Sequence, residues 1–295
     1  MRVARALAEA GAALAGNPTL ADPGREARFL LSRLLERPEA WVLAHPEADL
    51  DPAQEAAFAG WLRRRLTGEP AHYIAGSCPF WGREMLVTPA VLIPRPETEL
   101  LVERALALTL RLPPRVLDVG TGSGCLAVTL TLELADATVT ATDESPAALA
   151  VARRNAARYG ARVALSCGEL AKHLGGAFDL VVANLPYVPD REIAALPRDV
   201  RDFEPHAALA GGPDGADLVR RLIADLPRLL APRGFALLEV GPGHAALLAP
   251  EIAGAGLAAD APIVDAGGVA RVLVLRHPPR RGQASCPPTP KNEEQ

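Results

Sequence analysis

From residue 115 onward, short apolar runs that are typical of β-strands alternate with stretches that have helical spacing. The strand-like runs are RVLDV, ATVTATD, ARVALSC, FDLVVAN, RGFALLEV and ARVLVLR. Strands that are separated by helices form a mostly parallel sheet, with helices on both of its faces. This part of the chain is therefore predicted to be one α/β domain, and ligands of such domains bind beyond the carboxyl ends of the strands.

The preceding part of the chain has a different pattern of residues. Residues 1–75 show helical periodicity, and Asp22 and Asp51 each precede a proline that suits the first position of a helix. Residues 76–95 are rich in aromatic residues, glycine and proline, which indicates a β-hairpin. The expected organisation is a helical domain over 1–75, a hairpin linker over 76–95, the α/β domain over 96–277 and a disordered tail over 278–295.

Charge and cysteine content exclude several functional classes. The 295 residues carry a formal net charge of -4 and the pI is about 5.9, so no overall basic field is available to capture nucleic-acid phosphates. The four cysteines form no CxxC pair, so neither a metal site nor a disulfide framework is expected. No segment is apolar enough over a sufficient length to span a bilayer, and unpaired cysteines suit a reducing cytoplasm.

The first candidate for ligand binding is the turn in LDVGTGSGCLAV, residues 117–128. Its glycines, Gly120, Gly122 and Gly124, would let the backbone approach a ligand closely before a helix begins. A tight strand-to-helix turn without a ligand gives the same pattern, so the turn alone decides nothing. A dinucleotide fingerprint would need glycine where Cys125 stands, which disfavours a nicotinamide cofactor.

Asp143 ends the next strand, in VTATDESP. Its carboxylate could accept hydrogen bonds from both hydroxyls of a ribose. It could instead cap the helix that starts near Pro146, a role for which Ser145 is equally suited. Ribose binding gains weight only beside the glycine turn.

The stretch FDLVVANLPYV ends a buried-looking strand in Asn184, followed by Leu185, Pro186 and Tyr187. An amide or aromatic amine nitrogen is a poor nucleophile because its lone pair is delocalised, so an enzyme must orient it. The Asn184 side-chain oxygen and the Leu185 carbonyl could accept its two N–H groups, and the proline favours the extended backbone that fixes that carbonyl. Tyr187 could stack on a flat group. A strand-ending asparagine before a proline turn, with no catalytic role, is the open alternative.

Together, the glycine turn, the acid at the next strand end and the Asn-x-Pro-aromatic motif resemble the class I S-adenosylmethionine-dependent methyltransferases, in particular those that methylate amino groups. Longer stretches resemble a narrower family, the bacterial release factor glutamine methyltransferases, over roughly residues 20–276. These stretches are EPAHYIAG, FWGREMLVTPAVLIPRPETELLVE and FEPHAALAGGPDGADLVRRLIADLPRLLAPRGFALLEVG.

This resemblance implies a Rossmann-like seven-stranded sheet with a small N-terminal helical domain joined by a β-hairpin. It implies transfer of a methyl group from S-adenosylmethionine, with S-adenosylhomocysteine as product, to the glutamine side-chain nitrogen (N5) in the Gly-Gly-Gln motif of peptide chain release factors. Such protein methylation serves translation termination. The expected partner is thus a release factor, bound by a monomer, and neither a membrane nor direct nucleic-acid binding is expected.

The resemblance also assigns residues. The glycine turn would surround the methionine part of the cofactor, Asp143 would hold its ribose, and the NLPY motif would grip the substrate glutamine. The expected cofactor-binding residues are Gly120, Thr121, Gly122, Ser123, Gly124, Asp143, Leu170 and Asn184. The expected catalytic residues are Asn184, Leu185, Pro186 and Tyr187.

The chain departs from the family's usual pattern in three places. Leu185 stands where a proline is usual, but the backbone carbonyl is retained, so the activity is expected to be retained as well. The segment CGELA, with Glu169 and Leu170, replaces the usual Gly-Asp followed by a bulky residue. His244 stands where glutamine is common.

Two other functions stay open from the residues. A nucleic acid methyltransferase that acts on adenine N6 or another exocyclic amine would present the same kind of planar NH2 group to the NLPY motif. The acidic pI and the lack of a recognisable arginine-aromatic surface weigh against it. A noncatalytic methyltransferase-like binding module is the other alternative, and the intact Asn184 and glycine turn weigh against that.

Overall fold

The computed structural model describes residues 1–16, 20 and 22–278. The first part of the chain folds into helices, and a two-stranded hairpin follows. The helices are α1 (Val3–Leu14), α2 (Pro23–Leu34), α3 (Glu39–Ala44), α4 (Pro52–Leu66) and α5 (Ala71–Ala75). The hairpin strands are β1 (Ser77–Phe80) and β2 (Arg83–Leu86). Apart from residue 278, the predicted disordered tail lies outside the described residues.

The two aspartates that precede the predicted helix-starting prolines cap those helices. The Asp22 carboxylate accepts the Arg25 backbone N–H at 2.9 Å, at the start of α2. The Asp51 carboxylate accepts the Gln54 N–H at 2.8 Å, and the Gln54 side-chain oxygen accepts the Asp51 N–H at 3.0 Å. Each cap satisfies an amide that the first turn of a helix leaves unpaired, and such caps typically contribute about 1 kcal/mol.

The remaining elements build the α/β domain, which begins with a 3-10 turn at Pro96–Thr98. The strands are β3 (Arg115–Val119), β4 (Thr138–Asp143), β5 (Val163–Cys167), β6 (Phe178–Asn184), β7 (Leu230–Glu239), β8 (Ala258–Ala259), β9 (Ile263–Val264) and β10 (Ala270–Arg276). The helices are α6 (Glu99–Ala107), α7 (Cys125–Glu133), α8 (Pro146–Tyr159), α9 (Asp190–Ile193), α10 (Arg198–Phe203), α11 (Asp217–Leu229), α12 (His244–Leu247) and α13 (Ala249–Gly254), with a second 3-10 turn at His206–Ala208.

The sheet has the strand order β5-β4-β3-β6-β7-β10, and β8 and β9 both pair with the free edge of β10. The strands from β5 to β7 are parallel, and β10 runs antiparallel to β7. The predicted α/β sheet is confirmed with its seven positions. The last position holds two strands of two residues each, so the sheet counts eight strands. Segments this short show no pattern that sequence can reveal.

Both faces of the sheet are covered, which explains the unbroken apolar run on β6. Val181 and Ala183 belong to the core on one face, together with the buried residues of α11. Leu180 and Val182 belong to the core on the other face, with the buried residues of α6 and α7. A strand that is buried on both faces needs apolar residues at consecutive positions rather than at alternate ones.

The strand order also determines where polar side chains meet. The chain leaves β3 for β4 and β5 and then returns to β6 on the other side of β3. Ligands of open α/β sheets bind at such a reversal of strand order. The carboxyl ends of β4, β3, β6 and β7 lie side by side there, which brings the glycine turn after β3 together with Asp143, Asn184 and Glu239.

The hairpin is fixed to the α/β domain by buried polar contacts. The Asn155 side chain accepts the Leu86 backbone N–H at 2.7 Å and donates to the Leu86 carbonyl at 3.0 Å. The Tyr73 hydroxyl donates to the Val91 carbonyl at 2.6 Å. The first two bonds tie the hairpin to α8, and the third ties α5 to the segment that follows the hairpin. No helix in the described part of the chain combines the length and apolar character that crossing a membrane requires.

Candidate active site

A cavity of about 880 Å3, open to solvent, lies at the carboxyl ends of β3, β4 and β6. Five of the predicted cofactor-binding residues line it: Gly120, Gly122, Asp143, Leu170 and Asn184. Residues from the hairpin linker, the loop before α11 and α11 itself complete the wall. The full lining is Ala90, Val91, Leu92, Gly120, Gly122, Asp143, Glu144, Ser145, Ala148, Glu169, Leu170, Asn184, Leu185, Pro186, Pro205, Ala207, Ala208 and Leu218.

The other three predicted residues, Thr121, Ser123 and Gly124, shape the turn from behind and do not line the cavity. The Thr121 hydroxyl donates to the buried Asp118 carboxylate at 2.6 Å, and the Ser123 carbonyl accepts the Asn155 amide at 2.8 Å. Gly124 has φ +80° at the start of α7, and a Cβ there would lie 3.0 Å from the Ala152 Cβ.

Two glycines of the turn face the cavity for different physical reasons. A Cβ at Gly120 would lie only 2.8 Å from a methyl carbon of Leu185, so a side chain there would push the NLPY motif away. Gly122 has φ +54°, a conformation that favours glycine, and a Cβ there would meet no atom within 4 Å. The turn therefore offers bare backbone to whatever occupies the cavity.

Asp143 connects the turn to the start of α8. Its carboxylate accepts the backbone N–H groups of Gly122 and Ser145, both at 2.9 Å. The helix cap itself is the Ser145 hydroxyl, which accepts the Ala148 N–H at 3.1 Å. Each carboxylate oxygen keeps a further acceptor site, so Asp143 can still bind ribose hydroxyls. Bare backbone beside a carboxylate that can accept further hydrogen bonds fits the methionine and ribose parts of S-adenosylmethionine.

We expect Asp143→Asn to weaken S-adenosylmethionine binding by about 10- to 100-fold, because an amide replaces one acceptor oxygen with a donor. The dissociation constant from calorimetry checks this. Asp136→Asn is the matched control, since it makes the same charge change at an exposed position before the opposite end of β4. Equal affinities for the two variants would contradict a ribose-binding role for Asp143.

A second cavity, of about 580 Å3, lies on the other side of the NLPY motif. Asn184, Leu185 and Pro186 line both cavities, whereas Tyr187 lines only the second. The remaining walls of the second cavity are mostly apolar. Its full lining is Leu92, Arg95, Asn184, Leu185, Pro186, Tyr187, Val188, Leu196, Ala208 and Leu209. Together with Leu92 and Ala208, the motif thus forms the wall shared by two spaces that a cofactor and a substrate can enter.

Asn184 is held by a contact that the sequence did not reveal. Its side-chain Nδ2 donates to the Thr98 hydroxyl oxygen at 3.0 Å. Within the described ranges 1–16, 20 and 22–278, neither the Asn184 Oδ1 nor the Leu185 carbonyl receives a hydrogen bond. Two acceptors at adjacent residues are therefore available in the wall between the cavities.

The loop from residue 209 to 215 supports this wall from behind. The Val188 N–H donates to the Leu209 carbonyl at 3.0 Å, and the Gly211 N–H donates to the Val188 carbonyl at 2.9 Å. A Cβ at Gly211 would lie 2.8 Å from the Pro186 carbonyl oxygen, and one at Gly215 would overlap the Tyr187 carbonyl oxygen. Gly211 and Gly215 are needed because two backbones pack directly against each other at these positions.

His244, one of the departures from the family pattern, helps to hold the same loop. Its ring is buried, and Nε2 donates to the Asp214 carbonyl at 3.2 Å. The ring also lies behind Gly241, where a Cβ would come within 3.3 Å of a ring carbon. The histidine thus contributes to the backing of the NLPY motif rather than to either cavity.

Glu239 is the second residue that sequence reasoning missed. It ends β7 directly opposite Asn184 in the sheet register, and it is buried. Burial raises the pKa of its carboxyl to about 7, and the Thr98 and Tyr187 hydroxyls beside it oppose that rise. The Tyr187 hydroxyl lies 3.5 Å from Oε1. The available signal was an acid at the end of a predicted strand, in FALLEV.

A half-buried ion pair joins two segments that line the cavities. Arg95 donates to the Glu204 carboxylate at 2.6 Å, and the same carboxylate accepts the Ile93 N–H at 3.3 Å. Burial raises the pKa of Glu204, while the positive charge of Arg95 opposes the rise. Among the described residues, no group of three or more His, Cys, Asp or Glu is placed to hold a metal ion.

Comparison with known proteins identifies the family. A PrmC N-terminal domain model matches residues 5–76, and a methyltransferase small domain model matches residues 96–197. A release factor glutamine methyltransferase of Koribacter versatilis is 45% identical over 222 residues, which cover 74% of this chain and 79% of that protein. One from Cereibacter sphaeroides is 40% identical over 280 residues, covering 94% of this chain and 99% of that protein.

A solved methyltransferase structure from Pyrococcus furiosus superposes with a TM-score of 0.52 at 20% identity, covering 72% of this chain and 96% of that chain. At this identity the likeness concerns the fold. The relatives named above cover 74% and 94% of this chain and share far more of its sequence. This chain belongs to the family of release factor glutamine methyltransferases.

Proposed function

We propose that this protein transfers a methyl group from S-adenosylmethionine to the glutamine side-chain nitrogen (N5) in the Gly-Gly-Gln motif of peptide chain release factors, as a monomer in the cytoplasm. One observation carries the proposal: two free acceptors, the Asn184 Oδ1 and the Leu185 carbonyl, lie in the wall between two cavities. A planar NH2 group can donate one N–H to each of them. The names of the relatives point to the same chemistry.

The first cavity would hold the cofactor, which supplies an activated methyl group on a positively charged sulfur. Gly120 and Gly122 would lie against its methionine part, and Asp143 would accept hydrogen bonds from the ribose. Leu170 is buried at the edge of this cavity and offers an apolar surface to a flat base. Leu170 has φ +49°, so the CGELA segment turns sharply at that point.

The NLPY motif would orient the substrate nitrogen. When both amide N–H groups are bound by acceptors, the face of the nitrogen that carries the lone pair is directed toward the first cavity. Positive charge grows on the nitrogen as the new bond forms, so hydrogen bonds to Asn184 and Leu185 strengthen toward the transition state. The leucine at position 185 keeps this carbonyl, and its buried side chain packs against Gly120.

The second cavity would receive the glutamine side chain through its apolar walls. Tyr187 offers a ring face, and burial raises the pKa of its hydroxyl to about 12, so the hydroxyl stays protonated at neutral pH. A neutral lining favours a neutral amide over a charged side chain, because burying an unpaired charge is costly. Arg95 is the charged exception, and its guanidinium is engaged by Glu204.

Labelling with radioactive S-adenosylmethionine tests the proposal. The protein is incubated with a purified bacterial release factor, or with the same factor carrying another residue in place of the glutamine of its Gly-Gly-Gln motif. We expect label on the intact factor alone. Label on both factors, or label on nucleic acid added in their place, would contradict the proposal. A nucleic acid substrate would also show binding that weakens steeply with salt.

A further inference from the structure

We propose that Thr98 and Glu239 form a positioning pair that determines which end of the Asn184 amide faces the substrate. Neither residue has to touch the substrate, because both would act through Asn184. The inference rests on the proposed function, since it concerns the acceptor that would hold the glutamine nitrogen.

The three residues come from separate parts of the chain. Asn184 and Glu239 end neighbouring parallel strands and are directly opposite each other in the register. Thr98 reaches them from the 3-10 turn before α6. The exposed fractions are 2% for Thr98 and 1% for Glu239, so water is largely kept from both. Their hydrogen bonds must therefore be made with protein groups: the Asn184 amide donates to Thr98, and the Tyr187 hydroxyl lies 3.5 Å from a Glu239 oxygen.

The direction of the hydrogen bonds follows from what each group can donate. Asn184 Nδ2 donates to the Thr98 oxygen, so the Thr98 hydroxyl hydrogen must point to another acceptor. The Glu239 carboxylate lies beside that hydroxyl, and its Oε2 is buried with no hydrogen-bond partner among the described residues, so it is the acceptor to which the Thr98 hydroxyl can turn. An ionised carboxylate can only accept. Glu239 thus takes the Thr98 hydrogen, Thr98 takes the Asn184 amide hydrogen, and the Asn184 Oδ1 is left facing the cavities.

A protonated Glu239 would remove this bias. Its carboxyl hydrogen could then be donated to Thr98, which would free the Thr98 hydroxyl to donate to Asn184 instead. The Asn184 amide could then turn round and place its NH2 group where an acceptor is required. The ionisation state of Glu239 thus determines whether the Thr98 hydroxyl donates its hydrogen bond to Glu239 or to Asn184.

The surroundings of Glu239 set the pH at which this change takes place. Burial favours the neutral carboxyl, and the negative charge of Glu97 acts in the same direction. Arg271 on β10 favours the ionised form, as do the Thr98 and Tyr187 hydroxyls. Since the resulting pKa is about 7, we expect the methylation rate to rise with pH through that value. Replacing Glu239 with glutamine should flatten the rise.

Two substitutions at Thr98 separate positioning from folding. Thr98→Val keeps the shape of the side chain and removes its hydroxyl, whereas Thr98→Ser keeps the hydroxyl and removes a methyl group. We expect the valine variant to lose about 100-fold in kcat with little change in KM for S-adenosylmethionine, and the serine variant to recover most of that loss. Equal rates for the two variants would overturn the inference, because packing alone would then explain both.

A measurement without substrate makes the test independent of the proposed function. Asparagine side-chain NH2 groups give nitrogen-15 NMR signals, and the Asn184 signal is the one missing from an Asn184→Ala variant. We expect it to shift with pH around 7 in the unaltered protein and to stay constant in Glu239→Gln. An Asn184 chemical shift that changes neither with pH nor with the Glu239 substitution would overturn the inference. If release factors are not methylated, the labelling experiment fails while this result still decides the role of the pair.

Discussion

Replacing Asn184 with alanine is expected to lower the rate of glutamine methylation by about 1000-fold, which is the upper range for loss of one aligned hydrogen-bonding group at a reacting centre. The side chain supplies one of the two acceptors in the wall between the cavities. Its loss leaves the substrate nitrogen held by the Leu185 carbonyl alone, so the nitrogen lone pair is no longer directed.

The dissociation constant for S-adenosylmethionine should change by less than about threefold in the same variant, because the glycine turn and Asp143 remain in place. Single-turnover rates and calorimetry measure the two quantities separately. Asn184→Asp is the companion variant. It keeps acceptor oxygens but cannot donate to Thr98, so its rate should lie between those of the alanine variant and the unaltered protein. If cofactor affinity falls as far as the rate in Asn184→Ala, the residue is structural.

Gly215→Ala is expected to lose about 100-fold in methylation rate and to lower thermal stability as well. The added Cβ would overlap the Tyr187 carbonyl oxygen, which is backbone and cannot rotate away. The backbone of the NLPY motif must therefore move, and the Leu185 carbonyl would move with it. Activity at saturating cofactor and the melting temperature check the two parts of this prediction.

Gly243→Ala is the matched control for Gly215→Ala. Both glycines have φ +82°, so alanine meets the same backbone strain at either position. A Cβ at Gly243, however, would meet no atom within 4 Å. We expect this control to lose about 1–2 kcal/mol of stability from strain alone and to keep nearly full activity. Equal activity losses in the two variants would mean that backbone strain, rather than displacement of the motif, explains the effect.

The sequence was sufficient to predict the sheet and the edge at which the candidate site lies. Strand runs such as FDLVVAN are long and buried on both faces, so their apolar pattern is unmistakable, and parallel strands bring their carboxyl ends to one edge. The two-residue strands β8 and β9 could not be predicted, because a segment that pairs over only two residues carries no periodicity.

The site was only partly predictable, because residues that act through others leave no local pattern. Thr98 belongs to a segment that looked like a helix start, and only the tertiary fold brings its hydroxyl to Asn184. Glu239 could have been suspected as the last residue of a strand next to β6, but the order of the strands was not known in advance. Conversely, Thr121 and Ser123 belong to the recognised turn but do not line the cavity. The Thr121 hydroxyl is hydrogen-bonded to Asp118, and the Ser123 carbonyl is hydrogen-bonded to Asn155.

The most direct test of the central claim is tandem mass spectrometry of a release factor after incubation with this protein and S-adenosylmethionine. The peptide that contains the Gly-Gly-Gln motif should gain the mass of one methyl group, and fragmentation should locate it on the glutamine side chain. The Asn184→Ala variant should leave the peptide unmodified in the same time. A methyl group on any other residue, or an unmodified peptide after incubation with active, cofactor-binding protein, would contradict the claim.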